Sequence, residues 1–322
     1  MKLTIINLRL LIVLFCMAWI ASCSSNFESP ATITPISTVT MSSSQGKIAF
    51  VHESGKTDIY VMSADGSGIQ NLTKNLHLLF SGDPAWSPDG INIVFTSKTD
   101  AEQIYTMTAD GSDLKQLTFG TADSYGPAWS PDGKYIAFVS DRSGILDERG
   151  VPIPAVYIMN SDGSDQRQMA NTQDFVNAVS WYPGKNLTSV SVAYTRYGLR
   201  TYLMDTNGKI QHQLPDFVIE GIPVWAHNGE LFLFVSFLRS NCSGIVIATA
   251  DNLSQSCLVV DKISPPVSVG KASWSPDDKY ILFSSDLDGD FDIYRVKSDG
   301  SDLTQLTNMP GDEGAPVWSS TP

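Results

Sequence analysis

Positive charge is scarce: 21 Lys and Arg stand against 34 Asp and Glu in 322 residues, a formal net charge of −13. A chain of that balance has no electrostatic footprint for a nucleic-acid backbone or an anionic bilayer surface, so no nucleic-acid partner is expected. Histidine is equally sparse. His52, His77, His212 and His227 fall in four separate stretches without ligand-like spacing, which argues against a zinc site or a Ser-His-Asp triad. A Gly-x-Ser-x-Gly elbow, a His-Glu-x-x-His pair, a Walker loop and a dinucleotide fingerprint are all missing. No enzyme is expected. No window longer than a turn or two carries a 3.6-residue period, so helices should be minor. What the chain does have is 42% apolar residues, enough for a large core and too many for disorder.

Cysteine is also rare, and its four positions divide by role. Lys2 and Arg9 precede and bound an apolar run, Leu10–Ile20, of secretory length, too short to span a membrane. The run ends in Ile20-Ala21-Ser22-Cys23, which resembles a bacterial lipobox, so residues 1–22 read as a lipoprotein signal peptide and Cys23 as the lipidated residue. Cys16 would leave with the signal. Residues 23–44 comprise that Cys and a Ser/Thr/Pro-rich stretch unable to bury itself, a tether reaching roughly 25 Å. The expected location is extracytoplasmic, on the periplasmic side of an outer membrane or on the cell surface, with the membrane contacted through the lipid anchor alone. Cys242 and Cys257 then remain in an oxidising compartment, flanking one hairpin, and a structural disulfide between them is expected.

The remainder, 45–322, is repetitive. Tryptophans fall at 86, 129, 181, 225, 274 and 318, each in a related phrase such as Pro-Ala-Trp-Ser-Pro-Asp-Gly at 84–90 and 127–133. After the turn comes an apolar strand (91–95, 134–138, 190–194, 231–235, 279–283), then an Ile-Tyr-x-Met-like strand, an Asp-Gly-Ser turn, and a fourth strand ending in Leu-Thr. Four short antiparallel strands in about 43 residues are the signature of a propeller blade. The fold expected is all-β, a six-bladed β-propeller. The repetitive region begins at a second strand and finishes on an inner strand at Val317–Ser319, so the C-terminal inner strand should pair with three N-terminal strands and close the ring.

The phrase Pro-x-Trp-Ser-Pro-Asp-Gly-Lys-x-Ile-Ala-Phe…Ile-Tyr-x-Met…Asp-Gly-Ser…Leu-Thr resembles the repeat of TolB-type six-bladed propellers, also found in prolyl-oligopeptidase-related proteins. The likeness covers about 45–322 and is strongest at 84–140 and 272–307. It implies envelope protein–protein binding. TolB-like proteins carry an α/β domain ahead of the propeller, where this sequence has the tether.

In such a topology the segments just before each inner strand surround one channel mouth. They carry Asp83, Asp123, Tyr125, Asp174, Asn177, Glu220, Lys271, Asp312 and Glu313, a mainly acidic rim suited to a protein or peptide partner. The longest insertion, 142–154, projects from the same face. A glycan or small molecule in the channel, beside Tyr125 and Phe175, is the alternative. The run Asp286, Asp288, Asp290, Asp292 suggests calcium, yet Gly289 and Lys297 stand where an EF-hand loop places other residues, so no cofactor is expected and calcium is the lesser option. A monomer is expected.

Overall fold

The computed structural model describes residues 46–76, 80–169, 176–183, 191–196, 200–213, 223–236, 244–250, 255–258 and 268–320. All belong to one compact unit, Val39–Pro322. The signal peptide, Cys23, the tether, Asp174, Phe175, Glu220 and Cys242 lie outside these residues, as do the side chains of Asn177 and Cys257.

The described residues form 24 strands and no α-helix. The first set is β1 (Lys47–Glu53), β2 (Thr57–Ser63) and β3 (Gln70–Asn71); the second is β4 (Phe80–Trp86), β5 (Asn92–Lys98), β6 (Glu102–Thr108) and β7 (Lys115–Gln116). Next come β8 (Ser124–Trp129), β9 (Tyr135–Ser140), β10 (Ala155–Asn160) and β11 (Arg167–Gln168), then β12 (Val176–Tyr182), β13 (Ser191–Arg196), β14 (Arg200–Asp205) and β15 (Ile210–Gln213). The last sets are β16 (Val224–Trp225), β17 (Leu231–Ser236), β18 (Gly244–Thr249) and β19 (Gln255–Leu258), and β20 (Val269–Trp274), β21 (Tyr280–Ser285), β22 (Asp292–Lys297) and β23 (Thr304–Gln305), followed by β24 (Asp312–Trp318).

As expected, β24 pairs antiparallel with β1, Ile48 opposite Trp318 and Glu53 opposite Asp312. The number of sheets differs from expectation. Five hydrogen-bonded sheets form where six separate blades were expected, because β24-β1-β2-β3 and β4–β7 merge into one sheet of eight strands. The join is a single parallel bridge, Thr57 to Phe80, where the start of β4 runs beside the start of β2. The inner strands neighbour one another in the order β24, β4, β8, β12, β16, β20 and back to β24.

The core lies between successive strand sets. Each hydrophobic cluster draws residues from two of them: Ala49 and Ile59 with Phe95 and Met107, for example, or Ile48, Phe50 and Met62 with Leu282 and Ile293. Strand faces buried on both sides explain why the second strands are apolar nearly throughout. One cross-strand pair recurs. Phe50 faces Tyr60, Phe95 faces Tyr105, Phe138 faces Tyr157 and Phe283 faces Tyr294, with ring centroids 5.7–5.8 Å apart. All four Phe are fully buried, each contributing roughly 1.5–3 kcal/mol, and the aromatic pair adds about 0.5–1.5 kcal/mol.

The turns are built as their residues dictate. Ser87 Oγ donates to Asp89 Oδ1 and accepts from Asn92 N–H, while Gly90 takes φ +70°; Ser130, Asp132 and Gly133 repeat the arrangement. In the last copy Asp278 occupies the left-handed position, φ +56°. Its carboxylate accepts from the His227 and Asn228 backbone N–H groups, clasping the turn of the preceding set. The Asp-Gly-Ser turns lean on the Leu of the preceding set: a Cβ on Gly66 would stand 2.8 Å from Leu306 O, and one on Gly111 3.1 Å from Leu72 O.

The tryptophans join neighbouring sets. Trp86 Nε1 donates to Val317 O (3.2 Å), Trp181 Nε1 to Ala128 O (2.8 Å) and Trp274 Nε1 to Val224 O (3.0 Å). Each acceptor is the residue before the preceding set's own Trp. The indole N–H groups of Trp129 and Trp225 are buried without such a bond. Trp181→Phe is therefore expected to lower stability by about 1–2 kcal/mol more than Trp129→Phe, read from urea midpoints at unchanged m-value. Equal losses would show that the indole bonds are incidental.

Candidate functional site

Several inner strands are bulged part-way along. Register shifts fall between Gly82 and Ala85, Tyr125 and Ala128, and Val269 and Ala272. Proline supplies the local cause of the first two at Pro84 and Pro127, and of a further shift in β24 at Pro316, since it cannot donate to a ladder and is tolerated at bulges; the β20 shift falls at Gly270-Lys271. The residues before these prolines take positive φ: Asp83 at +52°, Gly126 at +58° and Ala315 at +48°. A bulge re-aims the side chain it carries. Here it brings Asp83 of β4 to Lys271 of β20, and the Lys271 ammonium donates to Asp83 Oδ1. The two strands are not neighbours, because β24 stands between them. Both side chains are partly exposed, Lys271 by 58% and Asp83 by 31%.

Of the other residues expected at the rim, Asp123 and Asp312 are engaged in holding backbone. Asp123 Oδ1 accepts from Glu102 N–H (2.9 Å), and its own N–H donates to Asp141 Oδ1 (2.9 Å). Asp312 Oδ1 accepts from Phe291 N–H (3.2 Å). Tyr125 is buried among Val139, Val156 and Val176. Glu313 is buried as well, and His52 Nδ1 of β1 donates to its Oε1 (2.5 Å). The insertion 142–154 is an ordered hairpin, with a Leu146–Pro152 bridge, that leaves Ile145 and Leu146 exposed. Arg142 pins its base, stacked over Phe138 and Tyr157 and donating to Ser124 Oγ and Gln166 Oε1.

Of the acidic run, Asp288, Asp290 and Asp292 bring carboxylate oxygens within 4.8 Å of one another, a grouping able to chelate a divalent cation. Asp286 is not among them; its Oδ1 accepts from Ser268 N–H (2.6 Å). Asp292 belongs to a recurring device that sequence reasoning missed. Thr73, Thr118 and Thr307, each the Thr of a Leu-Thr pair, accept from the N–H of Ile59, Ile104 and Ile293 and donate to Asp58, Gln103 and Asp292. The recurrence of Leu-Thr was the available signal. In the last set the device is electrostatically loaded: burial, then the adjoining Glu313, pushes Asp292 up to about 8. Burial also raises Glu313. At the first set, burial of Asp58 is outweighed by hydrogen bonds from Thr73, Lys56 and Asn71, and its carboxyl stays below its ordinary value. Among the described residues, His52, His212 and His227 sit in separate elements and no nucleophile–base pair is assembled.

Antiparallel four-stranded units stacked on one another, and closed by pairing of the chain's last strand with its first, define a β-propeller. The chain belongs to the TolB beta propeller domain family, whose model matches residues 31–265. No curated protein matches the sequence. Among solved structures it is similar to TolB from Acinetobacter baumannii, with a TM-score of 0.66 at 18% identity over 85% of this chain and 66% of that one. It is also similar to a protein assigned as TolB from Agrobacterium tumefaciens (TM-score 0.60, 19% identity, 84% of this chain and 91% of that one). Hydrazine synthase from Kuenenia stuttgartiensis gives a TM-score of 0.64 at 14% identity, over 87% of this chain and 47% of that one. The chain thus spans just under two thirds of the Acinetobacter protein, and at these identities the likeness is one of fold.

Proposed function

We propose that this protein is a noncatalytic scaffold of the bacterial envelope that holds a protein or peptide partner at its channel mouth. The observation that carries the reading is the Asp83–Lys271 pair, whose charges reach from two non-adjacent inner strands past β24. An exposed ion pair of this kind contributes only about 0–1 kcal/mol, so a partner's own charges can exchange with it at little expense. A basic side chain would take Asp83 and an acidic one Lys271. Membership of the TolB propeller family supports the same reading, and the Ile20-Ala21-Ser22-Cys23 lipobox supports anchoring through Cys23.

The propeller is proposed to be six-bladed. In favour of that count, the eight-stranded sheet holds two sets of four strands joined at one bridge, and the inner strands follow one another as β24, β4, β8, β12, β16 and β20.

The test is capture from envelope extract on the immobilised full chain, against a chain carrying Asp83→Ala and Lys271→Ala. A protein held by the first, released by salt and at least tenfold depleted on the second, is the expected result. Equal recovery would move the site off the mouth, and no retained protein at all would favour a glycan or small molecule in the channel.

A further inference from the structure

We propose that the hairpin of residues 142–154 docks a partner protein through a segment carrying an apolar side chain beside a basic one. This rests on the reading that a partner sits at the channel mouth, and gives the chemistry that partner presents. The hairpin joins β9 to β10 at the end where β8 begins, Ser140 lying opposite both Ser124 and Ala155. Its two legs are tied to successive inner strands. Arg142 donates to Ser124 Oγ of β8 (2.9 Å), and Val176 N–H of β12 donates to Pro154 O (3.4 Å). The hairpin is stiff as well. Leu146 bridges Pro152, and Ile153 N–H donates to Ile145 O (2.8 Å). Asp147 Oδ1 closes the turn by accepting from Arg149 and Val151 N–H (2.8 and 2.9 Å). The Arg142 guanidinium adds bonds to Ser140 and Gln166 while stacked over Phe138 and Tyr157.

Ile145 and Leu146 are consecutive in an extended leg, so their side chains leave it in opposite directions. Laid flat on its blade, the hairpin would bury one of the two; instead both stay exposed, Ile145 by 39% and Leu146 by 55%. The other exposed large apolar residues among those described, Ile69, Ile91, Leu114, Phe119 and Ile210, stand singly along the chain, which is ordinary for a protein surface. Ordering a loop costs conformational entropy, which burial of Ile145 and Leu146 in a partner would offset. Charge selects among occupants. Arg149 is held by Asp147 (2.8 Å) and Arg142 by its stacking and hydrogen bonds, whereas Glu148 at the tip is exposed without an ion pair. The charge left over is negative, on a chain whose net charge is −13. A basic residue next to an apolar one complements that tip, while an anionic headgroup or a second, equally acidic copy of this chain is repelled.

The test selects random peptides displayed on phage against the immobilised full chain, then measures the enriched sequences as labelled synthetic peptides by fluorescence anisotropy. The expected peptides combine Leu, Ile, Val or Phe with Lys or Arg. Ile145→Ser with Leu146→Ser should leave Tm unchanged, since both side chains are exposed, and weaken Kd by about tenfold or more. Glu148→Lys should weaken the same peptides and flatten their salt dependence. Peptides without that pattern, no enrichment at all, or a Kd untouched by the hairpin substitutions would each overturn the proposal. Asp83→Ala with Lys271→Ala separates it from the reading of the mouth: peptides lost there but kept by the hairpin variant remove the hairpin and leave the mouth. Peptides lost only in the hairpin variant do the reverse, and loss in both makes them one surface. Arg149, with a side chain 76% exposed, reports on the membrane. In the full chain reconstituted into phosphatidylcholine vesicles without peptide, trypsin should cut at Arg149. Protection there while other Lys and Arg sites are cut would overturn the proposal in favour of a hairpin lying in the bilayer.

Discussion

Removing residues 313–322 is expected to abolish cooperative folding. The deletion takes away Trp318, a loss worth about 3–5 kcal/mol by itself. It uncovers Ile48 and Phe50, which are wholly buried against β24 and the last sheet, at roughly 1.5–3 kcal/mol each. It also deprives Trp86 Nε1 of the Val317 carbonyl, Lys47 of its backbone and hydroxyl partners on Ser319, and His52 of Glu313. Together these rival the 5–15 kcal/mol that keeps a whole domain folded. Scanning calorimetry should show the main transition lost or moved far down, and a truncated chain melting unchanged would mean that β24 is decoration.

Gly66→Ala should be the most damaging single-methyl change at the Asp-Gly-Ser turns. Gly66 takes φ +85°, where an alanine is strained by about 1–2 kcal/mol, and its new Cβ would meet Leu306 O at 2.8 Å, adding about 1–3 kcal/mol of overpacking against backbone that cannot swing away. Gly55 is the control. Its φ of +79° is equally demanding, yet nothing lies within 4 Å of the added methyl. Chemical denaturation should therefore separate the two variants by at least about 1 kcal/mol, and identical midpoints would show that the turn does not bear on Leu306.

Much of this architecture is legible in the sequence because its signals are local. Pro-Asp-Gly and Asp-Gly-Ser set backbone turns at fixed offsets, and the Phe and Tyr that pair across strands two and three recur with them. Ring closure could be read from the strand with which the repeats begin and end. The parallel bridge from Thr57 to Phe80 could not, since it depends on how one connection lies over its neighbour. The candidate site was legible in part. Position along the chain put Asp83 and Lys271 in equivalent segments, and the structure pairs them, but pattern alone counts every acid in such segments as available. Asp123 and Asp312 instead cap backbone N–H groups, and Glu313 is buried against His52. Such hydrogen bonds have partners from 21 to 261 positions away and leave no period to detect.

The inclination of each Asp-Gly-Ser turn on the Leu before it has a temporal meaning. Gly111 rests on Leu72 and Gly163 on Leu117, residues that leave the ribosome earlier, whereas Gly66 rests on Leu306, which leaves almost last. The second and third units are thus moulded on ones already made, and the first must wait for the end of synthesis. Until then β1 keeps an unclothed edge, held from completion by some 270 residues of intervening chain. Contacts so remote in sequence form slowly, and a chain whose opening strands cannot finish early stays pliable for as long as it is being made.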